Sequence, residues 1–283
     1  MLIEFFGLPG AGKSTMSRLA ADLLLQGGIV VDEITYTLDH RRPSVERQLT
    51  KLGQLLRYAA AHPGHALSDS FRITATRQAT LLDLGKSIFN WIVIASIASQ
   101  NRSSNSIAFL DQGVAQAMWS VGFAARHEDW LDRLRAVTQG MALRPDLVIH
   151  VRANLQTIGD RLATRRRRVS RLDALHRDHK ALQRAETHSD AIMLRLRSAG
   201  VPVVEIENND PAQLKSGARL VAGVIMTTLN EQRIASGQHL RHGTPPPARH
   251  EAPLPVCSLP DNRPIERQTS SPAERKETSW QSS

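Results

Sequence analysis

The sequence predicts an α/β fold in which a parallel sheet is covered by helices on both faces. Three observations predict it. Short apolar runs alternate with amphipathic helical stretches over residues 1 to about 233, the pattern of successive βαβ units. The runs are continuous rather than alternating, as strands buried on both faces require. Glycine and acidic residues end several of them, at the carboxyl ends where ligands bind in such sheets.

The elements follow in order. Residues 2–6 are an apolar strand stopped by Gly7. Residues 13–26 carry Met16, Leu19, Ala20, Leu23 and Leu24 at helical spacing, and Gly27-Gly28 ends that helix. Residues 29–31 read as a second strand ending near Asp32 and Glu33. Stretches 44–62 and 75–100 read as helices. Residues 107–110 form a third strand with Asp111 at its end, and 147–151 a fourth after the Pro145-Asp146 turn. A fifth strand spans 201–206, and a closing helix runs from 211 to about 229.

The chain of 283 residues has room for one large domain or two small ones. Its 41% hydrophobic and 22% charged content excludes disorder throughout, a collagen-like chain and a disulfide scaffold. Cys257 is the single cysteine, so an internal disulfide and a cysteine-built zinc site are both excluded. The opening residues show no basic segment before an apolar run. The longest apolar stretch, 88–98, is broken by Asn90 and Ser96 and falls short of the ~20 residues of a spanning helix. The expectation is a cytoplasmic protein with no membrane partner. From residue 235 onward the chain holds eight of its 14 prolines and few clustered apolar residues. We therefore expect a domain over 1–233 and a disordered Pro/Ser-rich tail over 234–283, with a proline-rich docking segment as the alternative.

The net charge is +9 and the pI near 10.5, which points to an anionic partner. Its placement narrows the choice. Gly7-Leu8-Pro9-Gly10-Ala11-Gly12-Lys13-Ser14-Thr15 matches G-x-x-x-x-G-K-[ST] between a strand and a helix. The glycines let backbone N–H groups approach phosphate oxygens, and the helix offers its positive end to the same anion. Lys13 suits the β- and γ-phosphates of a nucleoside triphosphate, and the Ser14 hydroxyl suits Mg²⁺. Asp111 is the second element, placed for the Mg²⁺ shell or for accepting the proton of an attacking hydroxyl; Asp32 and Glu33 are the alternatives for that proton.

Arg161, Arg165, Arg166, Arg167, Arg168 and Arg171 carry six of the nine net charges with no acid among them. The tail is nearly neutral. A solvated helix face, a nucleic-acid patch and a lid that brings guanidinium groups to a transferring phosphoryl group are the competing readings. Aromatic residues are absent from the run, which removes the stacking support a nucleic-acid site needs. On one continuous helix Arg161, Arg165 and Arg168 share a face, and these are the lid candidates.

With FFGLPGAGKST at 5–15, IAFLDQGVAQ at 107–116, PDLVIHVRA at 145–153, DRLATRRRRVSR at 160–171 and VVEIENNDP at 203–211, the chain resembles the P-loop nucleoside and nucleotide kinase group, the thymidylate kinase-like proteins above all. The resemblance covers about residues 1–230. It implies strand order 2-3-1-4-5 and transfer of the γ-phosphoryl of ATP, with Mg²⁺, to a small acceptor. It implies an adenine contact at Arg161, an adenine-pocket loop at Asn208-Asn209-Asp210-Pro211 with Asn209 in it, a lid over 161–171, and an acceptor contact at Gln116. Two family features are missing: Gln112 stands where an arginine usually follows the aspartate, and Asp32-Glu33-Ile34-Thr35 replaces an Arg-Glu-Pro motif. In the family that arginine contacts the acceptor's phosphate, and both departures weaken the case for a nucleoside monophosphate, so an unphosphorylated alcohol enters the choice. Arg72 and Arg77 are either substitute phosphate contacts or surface charges. Trp119 and Phe123 either line the acceptor pocket or belong to the core. A regulatory ATPase with no small-molecule acceptor is the rival function. The oligomeric state stays open, a homodimer included.

Overall fold

The computed structural model describes residues 1–40, 43–102, 106–134, 143–165, 171–175 and 178–235. Five parallel strands lie in the order β2-β3-β1-β4-β5. The central strand β1 (Leu2–Phe6) pairs with β3 (Ile107–Leu110) on one side and β4 (Leu147–Arg152) on the other. β2 (Val31–Glu33) and β5 (Val203–Glu207) close the edges. The order expected from the resemblance is the order observed.

Alternation along β1 builds two apolar layers. Ile3 and Phe5 face Phe109, Ile149 and the helices α1 (Lys13–Gln26) and the long closing helix at Pro211–Ala235. Leu2 and Phe6 face the other way, with Ala108, Leu110 and Val148, onto the larger layer. Between them on that second face stands Glu4, fully buried.

Between β2 and β3 lie α2 (Ile34–His40), α3 (Ser44–Ala61), α4 (Pro63–Ala75) and α5 (Leu81–Arg102). The expected helix over 75–100 begins later, because Thr80 and Asp83 cap it: the Asp83 N–H donates to the Thr80 hydroxyl at 3.0 Å and that hydroxyl donates to the Asp83 carboxylate at 2.8 Å. α4 went unread; Pro63 at its first turn is the start signal it carries. The second strand also shifts. Ile29 still donates its N–H to Leu24 at the end of α1, so pairing starts at Val31.

One expectation about apolar length is corrected. The 22 residues of α5 are long and apolar enough to cross a membrane by length and composition, since Leu81, Leu82 and Leu84 extend the stretch beyond 88–98. In the fold, Trp91, Ile92, Val93, Ala95, Ile97 and Ala98 of this helix are buried in the larger apolar layer.

After β3 come α6 (Val114–Ala124) and α7 (Trp130–Arg133); after β4 come α8 (Leu155–Thr164), α9 (Arg171–Ala174) and α10 (His179–Ser198). The closing helix, α11, runs to Ala235. The tail expected over 234–283 lies outside the described residues apart from this helix end. Trp119 on α6 is core: it is 6% exposed, its indole N–H donates to the Ala185 carbonyl at 3.0 Å, and it stacks on Phe123 with centroids 5.0 Å apart.

Candidate functional site

The loop 7–15 joins the carboxyl end of β1 to α1. Its glycines answer to specific constraints. A Cβ on Gly7 would lie 2.3 Å from the Val151 carbonyl oxygen of β4. Gly10 and Gly12 adopt φ of +90° and +95°, which turn the backbone of the loop over. A Cβ on Gly12 would also lie 2.2 Å from Asn208 Nδ2. Gly12→Ala is therefore expected to cost about 1–3 kcal/mol of stability, read as a shift of the urea midpoint.

Ser14, Asp111 and Thr35 meet behind this loop. The Ser14 hydroxyl donates to Asp111 Oδ2 at 2.9 Å and the Thr35 hydroxyl to Asp111 Oδ1 at 2.6 Å. The Asp111 N–H returns a bond to the Thr35 oxygen at 2.8 Å. Three strand ends are tied together: β1 through its loop, β2 through Thr35, and β3 through Asp111. Ser14 and Asp111 supply a hydroxyl and a carboxylate side by side, the hard oxygen donors that suit Mg²⁺. Thr35 carried no sequence signal beyond its place two residues after Glu33.

Lys13 lies among charges. Burial pulls its amine down to about 8, while Asp111 and Glu4 favour its protonation and Arg165 opposes it. Glu4 is pushed up to about 7 by burial, against the pull of four backbone N–H groups at Gly113–Gln116. A carboxyl that titrates higher in the folded chain favours folding below about 4.5 and loses that contribution as pH rises through about 7. Wild type is thus expected to lose about 3 kcal/mol relative to Glu4→Gln between pH 4.5 and 7.5, measured by urea unfolding at both pH values. A parallel pH response in the two proteins would contradict this.

The other face of the loop is braced by the β5 end. Arg161 on α8 donates to the carbonyls of Asn208 at 3.0 Å and Gly10 at 3.3 Å. Asn208, 2% exposed, donates its side-chain amide to the Ala11 carbonyl at 2.6 Å. Of the asparagine pair, Asn208 reaches the phosphate loop; Asn209 instead accepts from the Asn154 N–H at 2.8 Å and joins the β5 end to the start of α8.

The arginine run departs from the expectation of one continuous helix. α8 ends at Thr164, whose hydroxyl lies 3.2 Å from the Asp160 and Arg161 carbonyls, and Arg165 is extended at φ −70°, ψ 120°. Consecutive like charges do not favour carrying the helix further. Arg161 and Arg165 thus do not share a helical face, contrary to the expectation for Arg161, Arg165 and Arg168. Arg165 instead lies 3.6 Å from the buried carboxylate of Asp173 on α9 and is close enough to Lys13 to depress its pKa. Arg166, Arg167 and Arg168 lie outside the described residues.

Of the acceptor candidates, Glu33 lines a cavity of about 350 Å³ beside the end of β2, with Asp32, Thr37, Thr50, Gln54 and Asn101. Gln116 lies in the first turn of α6 with its N–H on Glu4 at 3.0 Å and its Oε1 buried without a hydrogen bond. Arg72 pairs with Asp69 at 3.6 Å on its own helix α4. Arg77, at φ +51° after that helix, offers its carbonyl to the Arg126 N–H at 2.9 Å. None of Arg72, Arg77 and Gln116 is among the described residues that line the cavity.

No family model matches the chain, and no curated protein matches it. Among solved structures it is similar to the deoxyadenosine kinase of M. mycoides with bound dATP, at 18% identity and a TM-score of 0.47, over 81% of this chain and 100% of that one. The same enzyme with dCMP and a flexible dCDP gives 16% and 0.47, and with dCTP 16% and 0.44, each over 82% of this chain and 100% of the other. The sheet order β2-β3-β1-β4-β5 and the glycine-rich loop between β1 and α1 give this chain the P-loop nucleoside triphosphatase fold.

Proposed function

We propose that the protein transfers the γ-phosphoryl group of ATP to a hydroxyl of a small molecule. The observation that carries this reading is the Ser14–Asp111–Thr35 network set directly behind the phosphate loop. Loop N–H groups and the start of α1 receive the phosphates. Lys13 neutralises charge on the transferring group. Ser14 and Asp111 would hold Mg²⁺, which when bound neutralises phosphate charge. Arg161 and Asn208 brace the loop, and Arg165 near Lys13 is the lid arginine, with Arg168, the other lid candidate, outside the described residues. In the transfer, the acceptor oxygen forms a bond to the γ-phosphorus, the bond from that phosphorus to the bridging oxygen breaks, and ADP leaves. The acceptor proton passes to a carboxylate. Asp111 and Glu33 are the carboxylates placed for it, Asp111 beside Ser14 behind the loop and Glu33 at the cavity.

The acceptor reading favoured here is an unphosphorylated alcohol. The described lining of the cavity brings two carboxylates and neutral polar groups and no cation, which disfavours a phosphate dianion. The deoxyadenosine kinase named above binds nucleosides' phosphorylated forms, dATP, dCMP and dCTP, in its structures. The test is a thermal-shift and turnover comparison of nucleosides, sugars and aminoglycosides with their monophosphates in the presence of ATP and Mg²⁺. Turnover with the free alcohols supports the reading; turnover confined to monophosphates overturns it and restores a nucleotide acceptor. Arg165→Ala is expected to lower kcat about tenfold or more with ATP affinity nearly unchanged, and equal losses in both would argue against a transition-state role.

A further inference from the structure

Resting on the phosphoryl-transfer reading, we propose that Glu4 is the positioning residue for Asp111, holding from the centre of β1 the turn that carries Asp111 to Ser14 and Thr35. Glu4 occupies an inward position between Leu2 and Phe6, where an apolar side chain is the ordinary choice. Its carboxylate instead accepts the Ala115 N–H at 3.1 Å on one oxygen and the Gln116 N–H at 3.0 Å on the other. These are among the N–H groups that the first turn of a helix leaves unpaired. α6 has no cap of its own: Gly113 at the N-cap has no side chain, and the first turn holds no acid. A residue more than 100 positions away in the chain supplies the cap.

The fit at Gly113 shows how closely the two parts are matched. A Cβ there would lie 2.3 Å from Glu4 Cδ and 2.5 Å from Glu4 Oε2. Gly113 sits at φ −112°, an angle open to any residue, and the three atoms nearest an added Cβ all belong to Glu4. Two residues earlier stands Asp111, both of whose oxygens are committed to hydroxyls on other strand ends. Glu4 thus sets one end of the 111–113 turn while Ser14 and Thr35 set the other. Its charge is also felt by Lys13. Groups that orient a metal-binding carboxylate from behind contribute strongly to metal affinity without touching the metal.

The test is calorimetric binding of ADP to the full chain with and without Mg²⁺, at pH 8, for wild type, Glu4→Gln, Glu4→Asp and Gly113→Ala. Wild type is expected to bind ADP about tenfold more tightly with Mg²⁺. Glu4→Gln cannot accept at both N–H groups, and Gly113→Ala pushes the same contact apart from the helix side. Both are expected to keep the Mg²⁺-free ADP affinity within about twofold and to lose most of the Mg²⁺ enhancement. Glu4→Asp keeps the carboxylate on a shorter stem and is expected to retain part of the enhancement, which also secures the test if Glu4→Gln does not fold. Wild-type enhancement in Glu4→Gln or Gly113→Ala would overturn the proposal. So would equal losses of ADP affinity with and without Mg²⁺, the result of a role confined to stability. Wild-type affinity indifferent to Mg²⁺ would overturn the phosphoryl-transfer reading together with it.

Discussion

Lys13→Met is expected to lower phosphoryl transfer by about 10²–10³-fold while making the ligand-free protein more stable. Both effects have one cause. The amine is drawn into the fold until burial brings its pKa to about 8, a position it holds against desolvation for the sake of an anion that is absent when no nucleotide is bound. The folded chain releases this proton more readily than the unfolded chain does. Wild-type stability therefore rises as pH climbs from about 8 to about 10.5, and the half-buried cation costs about 1–3 kcal/mol below that window. Methionine fills a similar volume without the charge. Urea unfolding at pH 7.5 should place the variant above wild type, and the two should converge near pH 10.5. A variant less stable than wild type at pH 7.5 would mean that Asp111 and Glu4 depend on the Lys13 charge more than burial opposes it.

Asp111→Asn is the second large expectation: about a 10²-fold loss of kcat, with about tenfold more Mg²⁺ needed for half-maximal rate. Asparagine keeps the shape of the side chain, and the hydroxyls of Ser14 and Thr35 can rotate to accept from its amide. The network therefore survives in altered polarity and the fold with it, so the loss reports charge at the metal-binding position rather than unfolding. Circular dichroism and the urea midpoint check that the variant is folded. Unchanged Mg²⁺ dependence in a folded variant would remove Asp111 from the metal shell. Thr35→Val separates the two neighbours of Asp111, since it deletes a hydroxyl that bonds the Asp111 N–H and the carboxylate oxygen away from Ser14 and leaves the Ser14 contact in place.

The sheet and the phosphate loop were legible in the sequence for physical reasons. Strands buried on both faces are mostly apolar, so β1, β3 and β4 announce themselves, and the loop needs glycine at positive φ at Gly10 and Gly12. What stayed hidden depends on contacts between distant positions. Glu4 stands inside an apolar run with no motif around it; its meaning lies in the N–H groups of Ala115 and Gln116. Thr35 and Asn208 were likewise invisible as partners of Asp111 and Ala11, because a single hydrogen-bonding side chain at a strand end has no spacing to betray it. The arginine run misled by periodicity: Arg161, Arg165 and Arg168 are spaced for one helical face, but α8 ends before Arg165, and that guanidinium lies beside Asp173 on the next described helix.

The central claim is that the loop and its Ser14–Asp111–Thr35 network move a phosphoryl group to a small acceptor. Its most direct test is transfer of labelled γ-phosphate from ATP with Mg²⁺ to a panel of nucleosides, nucleotides, sugars and aminoglycosides, for wild type and Lys13→Met. The account predicts a labelled acceptor with wild type and its loss in the variant. Release of free phosphate alone, stimulated by DNA or RNA and without any labelled acceptor, would contradict it.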